Sequence, residues 1–460
     1  MDLKLNINVS SFFSKAALFI CAVVLLSTSL NLKKWRTTEQ VIENDIVSYY
    51  SYLPATFIYH DLKLDFMKNP PPGYRGIFWP GHAPNGGRII KMSMGMSLMY
   101  LPFFTIGHLV AGIRGQIQDG YSSSYYFFLI MGTIFYVMLG LFVLRKILLR
   151  FFSDNITALT LLSVFIGTNL LYYSTTEPLM SHAYEFTVNI LLLYFILAWH
   201  ETPSWKNSLK VGFIAGVLIL VRPSNIISLA IFFLYGVYSF QTFKEKWRLL
   251  LSQWVKVALI GVCIVAVFFP QLLYWKWNSG QWWYYSYGHE KFYFSSPHIL
   301  DGLFSYRKGW LVYTPIMCFA IAGLFLAKKF SKNFLAALPV YLLLNIWIIT
   351  SWWCWWYGGS FGNRAFIDSY GLLAIPLAGC YTFLMNNSKV KTVVLLIIVF
   401  LLMALQVFQT FQYRYQAIHY DSMTKAAYWK SFLKIRPPQG FYELLKEPDI
   451  ENAIKGLEEK

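Results

Sequence analysis

Acid is scarce in this chain. Its 460 residues hold 22 Asp and Glu against 39 Lys and Arg, and charged residues of both signs make up only 13%. A soluble domain carries nearly twice that share, so a water-facing globular surface is excluded. Cysteine is also sparse. Cys21, Cys263, Cys318, Cys354 and Cys380 form no CxxC and no Cys/His cluster, and four of them sit inside apolar runs. Neither a disulfide framework nor a cysteine-rich metal site follows. Internal repeats and low-complexity segments are missing too.

Hydrocarbon is abundant: 57% of residues are hydrophobic and 19% aromatic. The apolar runs are long enough to cross ~30 Å of bilayer core. Lipid offers no partner for loose backbone, so the runs must be helical. The expected fold class is an all-α polytopic membrane protein. About eleven spans are expected, at 14–30, 124–144, 157–173, 183–199, 209–222, 225–241, 255–275, 310–327, 334–352, 369–385 and 392–408. Many spans follow the first, so 14–30 reads as a retained signal anchor rather than a cleaved signal peptide.

The net charge of +17 invites a nucleic-acid reading. The basic residues, however, cluster at the ends of apolar runs, where positive charge sets orientation. No nucleic-acid partner is expected. The clusters are Arg145, Lys146 and Arg150; Lys206 and Lys210; Lys244, Lys246 and Arg248; Lys328, Lys329 and Lys332; and Lys389 and Lys391. They mark every second loop, which predicts a cytoplasmic amino terminus and an extracytoplasmic carboxyl terminus. Lys33, Lys34 and Arg36 run against this pattern. Residues 92–113 (MSMGMSLMYLPFFTIGHLVAGI) could also span, but that would invert every later loop. They are read as a re-entrant or interfacial helix on the outer face. The resulting organisation is a transmembrane domain over 1–408 and an extracytoplasmic tail over 409–460. The domain carries a first outer loop at 31–123 and an aromatic outer loop at 276–309.

In this topology Asp45, Arg75, His82, Lys91, Glu177, His182, Arg222, Asp301, Arg307, Arg364 and Asp368 all fall on the outer side, near span ends. Charge there is expensive, so a site is expected. Asp45 begins a helical pattern that includes Tyr49. It can serve as an N-cap or as a general base, with Glu43 raising its pKa by repulsion. Lys91, at the start of an apolar helix, is a snorkelling lysine or a phosphate contact. Arg222 and Arg307 are membrane anchors or bidentate phosphate ligands. Glu177 and His182 could bind a sugar or hold a metal. Trp352 to Tyr357, including Trp356, form an interfacial aromatic belt or a wall for a stacked sugar. Arg364 and Asp368 are spaced to pair on a helical turn.

The stretches "NDIVSYYSYLPATFIYHD", "KMSMGMSLMYLPFFTIGH", "GTNLLYYSTTEPLMSHAYEF", "SYRKGWLVYTPIM" and "WWYGGSFGNRAFID" together resemble bacterial GT-C type integral-membrane glycosyltransferases. The likeness is to the protein O-mannosyltransferase and aminoarabinose-transferase group, glycosyltransferase family 39-like. The resemblance implies a GT-C fold with interfacial helices in the first outer loop. It implies inverting transfer of a sugar from a polyprenyl-phosphate donor to an acceptor (protein, lipid or glycan) at the outer face of a bacterial inner membrane. Asp45 matches the family's first-loop aspartate, assisted by Glu43. Lys91, Arg222, Arg307 and Arg364 would take the donor phosphate. Tyr49, Glu177, His182, Trp356 and Asp368 would meet the sugar. Nothing calls for an organic cofactor, and a divalent ion at Asp45, Glu177 and His182 requires the fold to bring them together. The competing readings are a transporter or flippase of lipid-linked glycans and a non-catalytic membrane scaffold.

Overall fold

The computed structural model describes residues 11–37, 41–71, 74, 77–330, 332–386 and 388–457. The amino-terminal half is built of α1 (Phe12–Leu32), α2 (Asp45–Phe57), α3 (Gly95–Ile113), α4 (Ser123–Leu148), α5 (Asp154–Ile166), α6 (Leu170–Thr175), α7 (Ser181–Glu201), α8 (Trp205–Val221) and α9 (Leu229–Leu234). The second half holds α10 (Phe240–Ser252), α11 (Trp254–Ser279), α12 (Ile299–Phe304), α13 (Trp310–Tyr313), α14 (Met317–Leu324), α15 (Ala327–Phe330), α16 (Ala337–Ser351), α17 (Tyr370–Met385) and α18 (Lys389–Arg414). The tail adds α19 (Lys425–Ser431) and α20 (Ile450–Lys455). A two-stranded antiparallel ribbon pairs Gly81–His82 with Arg88–Ile89.

Among the described residues, eight helical segments are long and apolar enough to cross a membrane. One of them is α3, which covers the stretch expected to lie along the interface. It starts beside the end of α8 and runs antiparallel to the first half of α4. There Phe103 packs on Gly132, and the Tyr136 hydroxyl donates to the Met99 carbonyl at 3.1 Å.

Three expected spans are interrupted. The run 157–173 breaks into α5 and α6 around Gly167, where Asn169 turns inward and donates to the Phe361 carbonyl at 3.0 Å. The run 310–327 breaks into α13 and α14 at Pro315, which lacks an N–H for the ladder. The run 225–241 is a 3-10 turn, Pro223–Ser228, leading into the short α9. Glycines let long helices close on each other. A Cβ at Gly323 of α14 would fall 1.8 Å from the Pro376 carbonyl oxygen of α17. Such contacts replace the hydrophobic effect that lipid removes.

The bundle has two chemically distinct ends. At one lie the cation clusters that close α4, open α8, lie on α10 and α15, and open α18. They are tied together by Arg150 to Glu201 at 2.8 Å, Lys256 to the Pro203 carbonyl at 2.9 Å and the Gly236 N–H to the Asn333 carbonyl at 2.8 Å. At the other end lie the start of α7 and α17 and the ends of α8, α11 and α16. The tail folds back over that end: Gln409 donates to the Tyr428 hydroxyl at 2.8 Å, and Ser360 N–H to the Tyr420 carbonyl at 3.1 Å.

Candidate active site

The spacing of Ile46, Tyr49, Tyr50, Leu53 and Phe57 predicts an amphipathic α2, but the helix is buried on every side from Ile46 to Ala55, and Phe57 at its end is exposed. Asp45 is the first residue of this helix rather than its cap. Asn44 occupies the cap position with φ 50°, and no side chain caps the helix. The N-cap reading of Asp45 is thereby corrected. The carboxylate turns sideways instead, and its Oδ2 accepts from Arg364 Nη2 at 2.9 Å.

Arg364 begins a 3-10 segment, Arg364–Ser369, reached after the tryptophan-rich stretch. At three residues per turn, positions four apart do not stack. Arg364 and Asp368 therefore do not pair with each other. Asp368 accepts from Arg222 Nη1 at 3.0 Å and lies 3.2 Å from His182 Nδ1. Arg222 follows α8, where Pro223 stops the helix, and its backbone is extended. Its Nη1 lies 3.4 Å from Glu185 Oε2, and its Nη2 donates to Ser181 Oγ at 3.2 Å. Ser181 in turn accepts from the Tyr49 hydroxyl at 3.4 Å.

These residues surround a cavity of about 460 Å³. Asp45 with its partner Arg364, Arg222 with Asp368 and His182, and Tyr49 all line it. An aromatic strap, Trp283 to Tyr287, covers the hollow, and Trp352, Trp353 and Tyr357 face the strap. The strap is fastened by Ser286 Oγ donating to the Lys91 carbonyl and by a bridge between Phe292 and Trp352. Lys91 also lines the cavity. It precedes the first turn of α3 rather than opening it, and pairs with Glu290 at 2.6 Å beneath the Tyr287 ring. Ile227, Ile348 and Phe294 make an apolar sector.

Six other candidates among the described residues lie elsewhere. Glu43 is exposed and is not among the residues that line the cavity. Trp356 is 2% exposed and sits under the Arg307 guanidinium, 5.5 Å from its ring centre, so it offers no face to a sugar. Arg307 donates to the Lys446 carbonyl of the tail at 3.3 Å. Glu177 is half-buried and accepts from the Tyr172 hydroxyl at 2.9 Å. Desolvation pushes its carboxyl up, opposed by Arg364, Tyr172, Lys34 and Lys308. His82 is exposed on the ribbon and Asp301 pairs with His298 at 3.4 Å. Arg75 lies outside the described residues.

Two residues of the site escaped the sequence reading. Glu290 is the partner of Lys91. Glu185 is fully buried, and its two oxygens lack hydrogen-bond donors apart from the ion pair with Arg222. Its signal was available: Glu185 lies one helical turn after His182 in an otherwise apolar helix. His182, Glu185 and Asp368 place ligand atoms within 4.8 Å of one another. A divalent ion would be held by this trio, and not by Asp45 or Glu177, but the Arg222 guanidinium already stands against both carboxylates. The arrangement supplies its own cation.

The cavity is therefore lined by three carboxylates, two guanidinium groups and one ammonium, each cation paired with an acid, together with aromatic faces and an apolar sector. No family model matches the chain, and no curated protein matches it. Among solved structures, it is similar to the archaeal oligosaccharyltransferase AglB from Archaeoglobus fulgidus, determined in complex with an inhibitory peptide and a dolichol-phosphate. The alignment has 13% identity and a TM-score of 0.48, and covers 95% of this chain. It covers 61% of that neighbour, so the chain spans about three fifths of its length.

Proposed function

We propose that the protein is a membrane glycosyltransferase of the GT-C type. It moves a sugar from a polyprenyl-phosphate donor to an acceptor hydroxyl, with inversion, in the cavity beside Asp45. One observation carries this reading. Asp45, Lys91, Arg222 and Arg364 come from four remote segments and line a single cavity. A transporter would instead place its ionisable groups near mid-membrane in broken helices.

The chemistry follows from the groups present. Asp45 takes the proton of the acceptor hydroxyl as the new O–C1 bond forms on one face of the sugar. The C1–O bond to phosphate breaks on the opposite face, and the prenyl phosphate leaves with the bonding electrons. Its growing negative charge is met by Arg222 and Lys91, donors held in place by their carboxylate partners. Arg364 holds the Asp45 carboxylate in place at 2.9 Å. The sugar stacks against the strap and Tyr357, and the prenyl chain leaves through the sector of Ile227, Ile348 and Phe294. Glu43, Glu177, Arg307 and Trp356 have no part in these steps. The cation-rich opposite end of the bundle supports placing the cavity on the extracytoplasmic side of the membrane.

The test is binding and turnover measured on the same samples. Asp45→Asn protein in nanodiscs should retain polyprenyl phosphate and lose transfer from a panel of polyprenyl-phosphate hexoses and pentoses. Turnover equal to the unaltered protein would remove Asp45 from the chemistry and the reading with it.

A further inference from the structure

Lys33, Lys34 and Arg36 follow α1 at the cavity end, where the distribution of positive charge asks for none. Lys34 lines a second cavity, of about 510 Å³, enclosed by the ends of α1, α6 and α18 and the first residues of the tail. Arg414, the last residue of α18, stands on its wall with Lys34, and Gln416, His419, Thr176 and Tyr420 add hydrogen-bonding groups. Among the described residues no carboxylate lines this cavity, and neither Lys34 nor Arg414 has an acid within 4.0 Å. The acids that act on the Lys34 ammonium are Glu177, engaged by the Tyr172 hydroxyl at 2.9 Å, and the exposed Glu43; Asp421 lies beside His419 at 3.3 Å. The first cavity matches each cation with a carboxylate. The second leaves two like charges facing one hollow, where an anion would remove their repulsion. A guanidinium fork beside an ammonium suits an oxyanion.

Tyr172 lines the second cavity and its hydroxyl donates to Glu177 at 2.9 Å, and both Arg364 of the first cavity and Lys34 of the second act on the Glu177 carboxyl. We propose that the second cavity binds an oxyanion, phosphate or carboxylate, carried by the acceptor. This rests on the transfer reading, because it makes the cavity the acceptor's side of the Asp45–Arg364 pair. The acceptor class is then an anionic molecule, held by Lys34 and Arg414 while its hydroxyl reaches Asp45.

The experiment is calorimetric titration of the full chain in maltoside detergent with three probes: inorganic phosphate, dioctanoyl phosphatidic acid and farnesyl phosphate. The Lys34→Gln/Arg414→Gln double variant should weaken phosphatidic acid at least tenfold and leave farnesyl phosphate within twofold. Arg222→Gln should do the reverse. Lys34→Arg/Arg414→Lys keeps both charges and should restore binding, which separates lost charge from lost fold. Binding of phosphatidic acid alone by the unaltered protein points to a lipid-borne phosphate, and binding of inorganic phosphate as well points to the oxyanion by itself. Both results support the site. Failure of the unaltered protein to bind either probe overturns it, as does equal binding by the double variant. If farnesyl phosphate ignores Arg222 while Lys34 and Arg414 still govern phosphatidic acid, the transfer reading falls and the anion site stands.

Discussion

Cations crowd both ends of the bundle, and the two ends use them differently. At the basic end Lys146, Lys244 and Lys329 lie over the rings of Phe142, Phe240 and Phe383, and Lys389 and Lys391 point outward from the start of α18. At the cavity end Arg222, Arg364 and Lys91 each meet a carboxylate from a distant segment. The same residue types thus lie over aromatic rings or point outward at one end and build a polar interior at the other. What separates the two uses is the placement of the few acids. A chain this poor in Asp and Glu concentrates Asp45, Glu185, Glu290 and Asp368 around one hollow.

The contrast can be broken, starting with its chemical side. Asp45→Asn should lower kcat by about 10²–10⁴-fold, the usual contribution of a positioned general base. Single-turnover assays in nanodiscs would read this, and an effect under tenfold would make Asp45 an ordinary paired acid. Next is stability. Arg222→Met leaves Asp368, 4% exposed, and Glu185, fully buried, without their cation. Removing one partner of a buried pair costs roughly 3–5 kcal/mol. A large fall in Tm is expected, partly recovered when Asp368→Asn is added. No fall would mean that the trio is neutralised some other way.

A smaller effect is expected from Lys308, which is buried and donates to the Ser360 carbonyl. Burial pulls its ammonium down to about 7. The unfolded chain keeps that proton up to ~10.4, so between these values it binds more protons than the native state. Stability should then rise with pH across the window, by at most about 1.4 kcal/mol per unit for one group. Lys246 at the basic end, also drawn down to about 7 by burial, adds the same sign. Lys308→Met should remove part of the rise in Tm from pH 7 to 9; an unchanged slope would assign all of it to Lys246. The smallest effect belongs to Lys389→Gln/Lys391→Gln. Exposed and away from any acid pair, they should shift stability by no more than about 0.5 kcal/mol.

The long helices are legible in the sequence because an apolar run admits one solution in lipid. α1, α4, α7, α11, α17 and α18 fall where the runs predict. The break at Pro315 is legible, because a proline inside an apolar run removes an N–H from the ladder; the break at Gly167 is explained by the inward packing of Asn169, which the sequence does not show. The cluster of polar residues at one end follows from the positive-inside pattern. Its pairings do not. Asp45 and Arg364 are 319 positions apart and Arg222 and Asp368 are 146 apart, and periodicity carries no information over such separations. Local spacing even misleads: it couples Arg364 with Asp368, which the 3-10 turn sends to different partners. Glu185 is the instructive omission, because an acid one turn from a histidine in an apolar helix is visible in the sequence.

Asn44 holds φ 50° and ψ −131° immediately before Asp45, a region that glycine occupies freely and other residues only against a penalty of about 1–3 kcal/mol. The chain therefore keeps a locally unfavourable joint at the one place where a carboxylate must point away from its own helix. Asn44→Gly should relax that joint and raise Tm while letting Asp45 wander, so that turnover falls. Robustness has been surrendered there in exchange for aim.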